Sequence, residues 1–248
     1  MANETAPLKN AYTRVDPVKS MLEVEYEIDR KPLNDFPSKL VSHLVKKFDL
    51  KGKALDVMCG RGEHAQALED NGLETWCVDM SPNAAYAFSK RNERLRTADM
   101  MLDPIPYDDE TFDVVWCKSA IEHVNADHAL AEFRRVLKPG GKVVILTTDW
   151  YYNYRFHYID HTHGYGAPWM LGSMRAILTA YGFENQTVEN IYYLAFTWKR
   201  GLLGFLGRAL CTLIRQFPYP YIDNFTNPLW KVVRFSNEVQ LVGYGEKK

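Results

Sequence analysis

From residue 53 onward the chain alternates apolar runs of strand length with amphipathic segments of helix length. Strand patterns fall at 54–58, 75–78, 112–117 and 143–148, and helix patterns at 63–71, 82–95 and 126–137. No other feature constrains the fold as much. One parallel strand can follow another only after a crossover about as long as a helix. The rhythm therefore predicts an open parallel sheet with helices on both faces. Ser81 reads as the N-cap of the 82–95 helix, with Pro82 in its first turn. Pro139, Gly140 and Gly141 end the 126–137 helix. Further on, 170–181 reads as a helix stopped by Gly182, 183–188 as a strand and 238–244 as a last strand. Residues 1–50 are mixed and helical, with Leu40, Val41, Leu44, Val45 and Phe48 on one stripe of a 36–48 helix. A long insertion, 190–235, separates the last two strands.

Open parallel sheets bind ligands at the C-terminal ends of their strands, where the strand order reverses. The first such turn reads Leu55-Asp56-Val57-Met58-Cys59-Gly60-Arg61-Gly62. Its glycines let backbone approach a ligand, and the next helix aims its first N–H groups there. A glycine-rich turn alone is equally a plain loop. Here it has company. Asp79 ends the second strand, 23 residues after Asp56, where a carboxylate can accept both hydroxyls of a ribose. Asp99, beside Met100, follows the second helix, where it can accept a hydrogen bond from an adenine amino group. Three acids, each at a strand end, point to a nucleoside.

These residues carry a resemblance. LDVMCGRG (55–62), VDMS (78–81), AD (98–99), FDVVWCKSAIEHV (112–124) and RVLKPGGKVVI (135–145) are similar to the motifs of the class I S-adenosylmethionine-dependent methyltransferases, of the methyltransferase type 11-like group. The likeness covers about 53–149 closely and the last strand loosely. It implies a Rossmann-like α/β fold. The sheet would have seven strands, mostly parallel with an antiparallel last strand, helices on both faces and a helical insertion before that last strand. It implies S-adenosylmethionine as cofactor and S-adenosylhomocysteine as product. Asp56, Cys59, Gly60 and Gly62 would face the methionine part, Asp79 the ribose, and Met80 the adenine. Asp99 and Met100 would hold the adenine, and Lys118 and Ser119 would line the floor. Met58 departs from the pattern, which has glycine there, so a non-catalytic scaffold that keeps the cofactor fold stays open.

The acceptor is less legible. An alcohol acceptor needs a base, and histidine suits that role near neutral pH. His123 follows the fourth strand, within an EHV shared across the group whatever the substrate. Three of the seven histidines, His157, His161 and His163, stand in the aromatic segment after the fifth strand. His163, His123 and His161 are the candidate bases. Tyr151, Tyr154, His157, Trp169 and Arg200 are candidates for the acceptor wall. His157, Asp160, His161 and His163 are acceptable metal ligands, but their spacing matches no metal motif, and no metal is expected. O-methylation of a sugar or glycan-pathway intermediate, with a phosphate-carrying acceptor, is the first expectation. N- or C-methylation of a lipid or quinone-like acceptor is the alternative.

Composition closes other doors. Net charge is −1, which argues against a nucleic-acid binder. Four scattered cysteines with no CxxC pair suit a reducing cytoplasm. The layout reads as one domain over 1–248. It comprises a helical cap (1–50), a cofactor core (53–149), an acceptor loop (150–170), an insertion or lid (190–235) and the last strand (236–248). Aromatics concentrate late: residues 1–149 hold 11 and 150–248 hold 22. Within the insertion, 201–215 is an amphipathic helical pattern. Leu202, Phe205, Leu206, Ala209, Leu210 and Leu213 lie on one side, and Arg208, Thr212 and Arg215 on the other. Such a helix can meet its own core, a second subunit in a homodimer, or a membrane surface.

Overall fold

A computed structural model describes residues 33, 35–153, 168–216 and 239–248. Helix α1 (Phe36–Phe48) opens on a proline, carries Lys46 and Lys47 in its last turn, and ends on left-handed Asp49. Proline suits a first turn, where its missing N–H would have no helical partner, and lysines suit the negative end of the helix. Pro37, Leu40, Val41, Leu44 and Phe48 form its buried stripe. Next come β1 (Lys53–Val57), α2 (Glu63–Asp70), β2 (Glu74–Asp79), α3 (Arg91–Arg94), β3 (Leu95–Thr97) and β4 (Phe112–Lys118). They are followed by α4 (Ala126–Val136), β5 (Leu137–Thr148), α5 (Trp150–Asn153), α6 (Leu171–Ala180), β6 (Phe183–Tyr192), α7 (Leu202–Gln216) and β7 (Val239–Lys247).

The strands pair in the order β3-β2-β1-β4-β5-β7-β6. β7 runs antiparallel to both its neighbours and every other pairing is parallel. The chain winds from central β1 out to β3, then returns to the far side of β1 with β4. That reversal opens a crevice at the C-terminal ends of β1 and β4. The sheet is buried on both faces, as a parallel sheet must be. Ala54, Val114, Trp116, Val144 and Val242 pack under α1 and α2. The alternate residues Leu55, Val57, Val115, Cys117, Ile145 and Leu241 pack under α4 and α6.

Several expected elements change. The 82–95 helix shrinks to α3, and residues 82–90 form turns. The backbone there bonds outward: Ala85 N–H donates to Gly60 O and Ala87 N–H to Arg61 O. The Arg91 guanidinium holds the carbonyls of Pro82 and Ala84. Ser81 still works as a local cap, its hydroxyl accepting from Asn83 N–H at 3.2 Å. β5 begins at Leu137, before the Pro-Gly-Gly corner, because Phe112 pairs with Leu137 and the register then shifts to Val114 with Lys142. β6 continues to Tyr192 because residues 189–192 pair with β7, so the insertion starts at residue 193 and not at 190.

Candidate active site

The turn after β1 has three residues in left-handed backbone: Met58 (φ +57°), Gly60 (φ +53°) and Gly62 (φ +81°). Met58 is therefore a strained substitute for glycine. Its half-buried side chain packs on the core under α4 and α6. Met58 and Cys59 both donate their N–H groups to Val78 O, which ties the turn to β2. Gly62 is needed for a second reason, since a Cβ there would lie 2.8 Å from the Ala85 Cα.

Three carboxylates surround this turn. Asp56 is 2% exposed, and its Oδ2 has no hydrogen-bond partner among the described residues. Burial, reinforced by the nearby Asp79 charge, pushes its carboxyl well above the usual range, against the opposing effects of the Ala65 N–H and Lys118. Asp79 accepts Gly60 N–H on Oδ2 at 2.9 Å and Ser81 N–H on Oδ1 at 3.0 Å. Burial also raises its pKa, while those N–H groups work to lower it. Asp99 is half-buried and accepts Met101 N–H at 2.9 Å, and the adjacent Ala98 N–H donates to Asp79 O. The three acids thus sit at the ends of three neighbouring strands. A ligand that brings positive charge and hydroxyl donors would answer both the orphaned oxygen and the mutual repulsion.

His64, not anticipated from the sequence, belongs to this group. It lies in the first turn of α2, its ring 5.7 Å from Trp116, and its Nδ1 is buried without a hydrogen-bond partner among the described residues. Burial, then the charges of Lys118 and Arg61, holds its pKa well below the ordinary value, so it is neutral. The available signal was its place two residues after the last glycine of the turn.

Across the crevice, Ser119 has φ +53° and donates its N–H to Leu146 O at 2.7 Å. Glu122, on a short 3-10 turn (Ile121–His123), accepts the Thr147 hydroxyl at 2.8 Å, so this glutamate ties β5 to the segment after β4. Asp149, 1% exposed, accepts Tyr151 N–H at 2.9 Å. Burial raises its pKa, opposed first by a hydrogen bond from the Asn190 side chain. Asn153 donates to Asp149 O and Val239 O and accepts from Val239 N–H, fastening the end of β5 to the start of β7. A cavity of about 410 Å³ opens here, lined by Asp149, Tyr151, Tyr152, Met170, Leu171 and Asn190.

Residues 55–145 match the family described as "Methyltransferase domain". Residues 55–145 thus belong to a methyltransferase domain. Over 109 residues it is 37% identical to an uncharacterized protein of Methanocaldococcus jannaschii, covering 44% of this chain and 47% of that protein. Over 134 residues it is 31% identical to the ubiquinone biosynthesis O-methyltransferase of Pseudomonas fluorescens, covering 50% of this chain and 56% of that one. The matches thus span about half the length of these relatives. Among solved structures, a Haloferax volcanii methyltransferase in complex with a methyltransferase activator superposes with a TM-score of 0.62 at 19% identity, covering 93% of this chain and 95% of that one.

Within the methyltransferase domain, Asp56, Cys59, Gly60, Gly62, Asp79, Met80 and Asp99 gather at the crevice edge formed by β1, β2 and β3. Lys118 and Ser119 stand at the end of β4. Met100, next to Asp99, turns into the core. It is 2% exposed in the apolar core, and the half-buried Met80 and Met101 are the methionines left at that edge. Trp169 is 5% exposed and belongs to the same apolar core as Met174 and Leu178, next in sequence to Met170 and Leu171 of the cavity lining. Tyr151 is 69% exposed at the cavity rim, and Arg200 is exposed just before α7. His123 is half-buried beside Glu122. Tyr154, His157, His161 and His163 lie outside the described residues. Among the described residues no cluster of three metal-ligating side chains occurs.

Proposed function

We propose that this chain transfers a methyl group from S-adenosylmethionine to a small-molecule acceptor. The observation that carries the proposal is the glycine turn ringed by Asp56, Asp79 and Asp99, with Asp56 Oδ2 buried and unpartnered. The residues fit that cofactor. Asp56 would accept its ammonium group. Asp79 keeps lone pairs beyond its two backbone N–H bonds for ribose hydroxyls, and Asp99 would take the adenine amino group. The bound cofactor supplies a methyl group activated on a sulfonium. The protein's part is alignment, exclusion of water and management of one proton.

For the acceptor, we infer a hydroxyl-bearing, largely apolar molecule of the quinone or lipid type. Support comes from the cavity lined by Tyr151, Tyr152, Met170 and Leu171, and from the similarity to a ubiquinone-pathway O-methyltransferase. The sugar-linked, phosphate-carrying acceptor expected from the sequence has no observation behind it. Asp149 joins His123, His161 and His163 as a candidate proton acceptor. It lines the cavity, and burial raises its proton affinity above that of an ordinary aspartate, which strengthens it as a base. The test is turnover on a panel of phenolic, quinol, lipid and sugar acceptors. Phenolic or quinol turnover that falls more than about a hundredfold in Asp149→Asn, at unchanged cofactor affinity, is the expected result. Turnover on sugars alone would replace the acceptor class.

A further inference from the structure

Helix α7 is packed inside out. The residues it turns toward the protein are small: Gly204, Gly207 and Cys211 are buried. A Cβ on Gly207 would collide with the Phe196 ring, and one on Gly204 with the Lys199 carbonyl. The Arg208 guanidinium adds a hydrogen bond to Thr197 O at 2.6 Å. These contacts seat the helix on the 3-10 turn Ala195–Trp198. Its large apolar side chains face away. Leu202, Leu203, Phe205, Leu206, Leu210 and Leu213 are 52–72% exposed. At 100° per residue these six fall on one side of the helix axis, opposite the small stripe. Water-soluble surfaces seldom expose a contiguous apolar patch of this kind without using it.

Two observations say what the face meets. From residue 191 to 216 the chain has four basic residues (Lys199, Arg200, Arg208 and Arg215) and no acid. Lys199 and Arg200 are exposed at the start of the helix. A two-fold contact through this segment would offer them the same acid-free segment of a second copy, whereas an anionic surface would neutralise them. The second observation is position. α7 follows the end of β6, and β6 runs parallel to β5 because both are antiparallel to β7. The helix therefore extends from the same sheet edge that holds Asp56, Asp79 and Asp149. Fifteen residues make a helix about 22 Å long, and among the described residues no helix is long and apolar enough to cross a membrane.

We propose that α7 lies flat on an anionic lipid bilayer, its leucine face in the acyl boundary and Lys199 and Arg200 at the headgroups. The docking needs neither cofactor binding nor turnover, so its failure and theirs are separable. The experiment is co-sedimentation of the full chain with vesicles of phosphatidylcholine alone or mixed with phosphatidylglycerol. Wild type should pellet with the anionic vesicles. Leu206→Glu with Leu210→Glu should partition more than about a hundredfold more weakly, since two leucines leave the bilayer. Lys199→Glu with Arg200→Glu should weaken it about thirtyfold or more, on anionic vesicles only. S-adenosylhomocysteine affinity should not change in either variant. Leu210→Trp, which keeps the face apolar, should give a fluorescence blue shift with anionic vesicles. Wild type left in the supernatant at millimolar anionic lipid, or an unshifted tryptophan, would overturn the proposal. So would a dimer that the glutamate variants split while vesicle binding stays the same.

Discussion

Met58 offers a test of the backbone at the glycine turn that does not depend on any ligand. Replacing it with alanine or with glycine removes the same half-buried atoms beyond Cβ, worth about 1 kcal/mol of apolar burial in each case. What differs is the backbone. At φ +57° a residue with a Cβ carries roughly 1–2 kcal/mol of strain that glycine lacks. Against this, glycine loses about 0.5–1 kcal/mol more conformational entropy on folding than alanine. Met58→Gly should thus be more stable than Met58→Ala by about 0.5–1 kcal/mol. At an ordinary φ the order would be reversed by a similar amount. Urea unfolding of the two variants reads the difference directly as a shift in midpoint at constant slope. If Met58→Ala proves the more stable of the two, Met58 does not occupy left-handed backbone and the account of the turn is wrong. The packing of Met58 into the core also bears on a non-catalytic reading, whose one motif-level hint was this residue. The departure strains the backbone and does not fill the ligand crevice.

Three further outcomes follow from the site. Asp56 has a carboxyl pKa raised in the folded state, so its favourable contribution is complete below the unfolded value of 3.8 and is lost as pH rises through the raised value. Asp56→Asn should therefore unfold at higher temperature than wild type at pH 8, with the gap closing near pH 4; a gap independent of pH would contradict this. Asn153→Ala removes two hydrogen bonds to Val239 at the start of β7 and one to Asp149 O at the end of β5, and should cost about 2–3 kcal/mol, with faster amide exchange at Val239; a loss under about 0.5 kcal/mol would contradict it. Glu122→Ala strips the Thr147 hydroxyl of its acceptor and should cost about 1–2 kcal/mol of stability while S-adenosylhomocysteine affinity holds; loss of affinity without loss of stability would make Glu122 part of the binding site.

The cofactor half was legible because its signals are local. A strand end, a tight turn and a helix start occupy consecutive residues, so 55–62 and Asp79 could be placed from spacing alone. The 82–90 segment failed for the opposite reason. Its alanines and aromatics have helical periodicity, but Ala85 and Ala87 donate to the carbonyls of Gly60 and Arg61, partners more than twenty residues away. The burial of Met100 and Trp169 in the apolar core is a matter of packing, which their sequence neighbours do not reveal. In α7 the amphipathic pattern was readable but not which side faces in, because Gly204, Gly207 and Cys211 define the buried stripe by what they lack. His64 was overlooked because a lone histidine on a helix has no motif.

The central claim is that the crevice between β1 and β4 holds S-adenosylmethionine. Isothermal calorimetry of the purified chain with S-adenosylmethionine and S-adenosylhomocysteine tests it most directly. Saturable one-to-one binding is expected for both, abolished in Asp79→Ala and weakened in Asp56→Asn, with both variants folded by circular dichroism. A folded wild-type chain that binds neither compound would contradict the account.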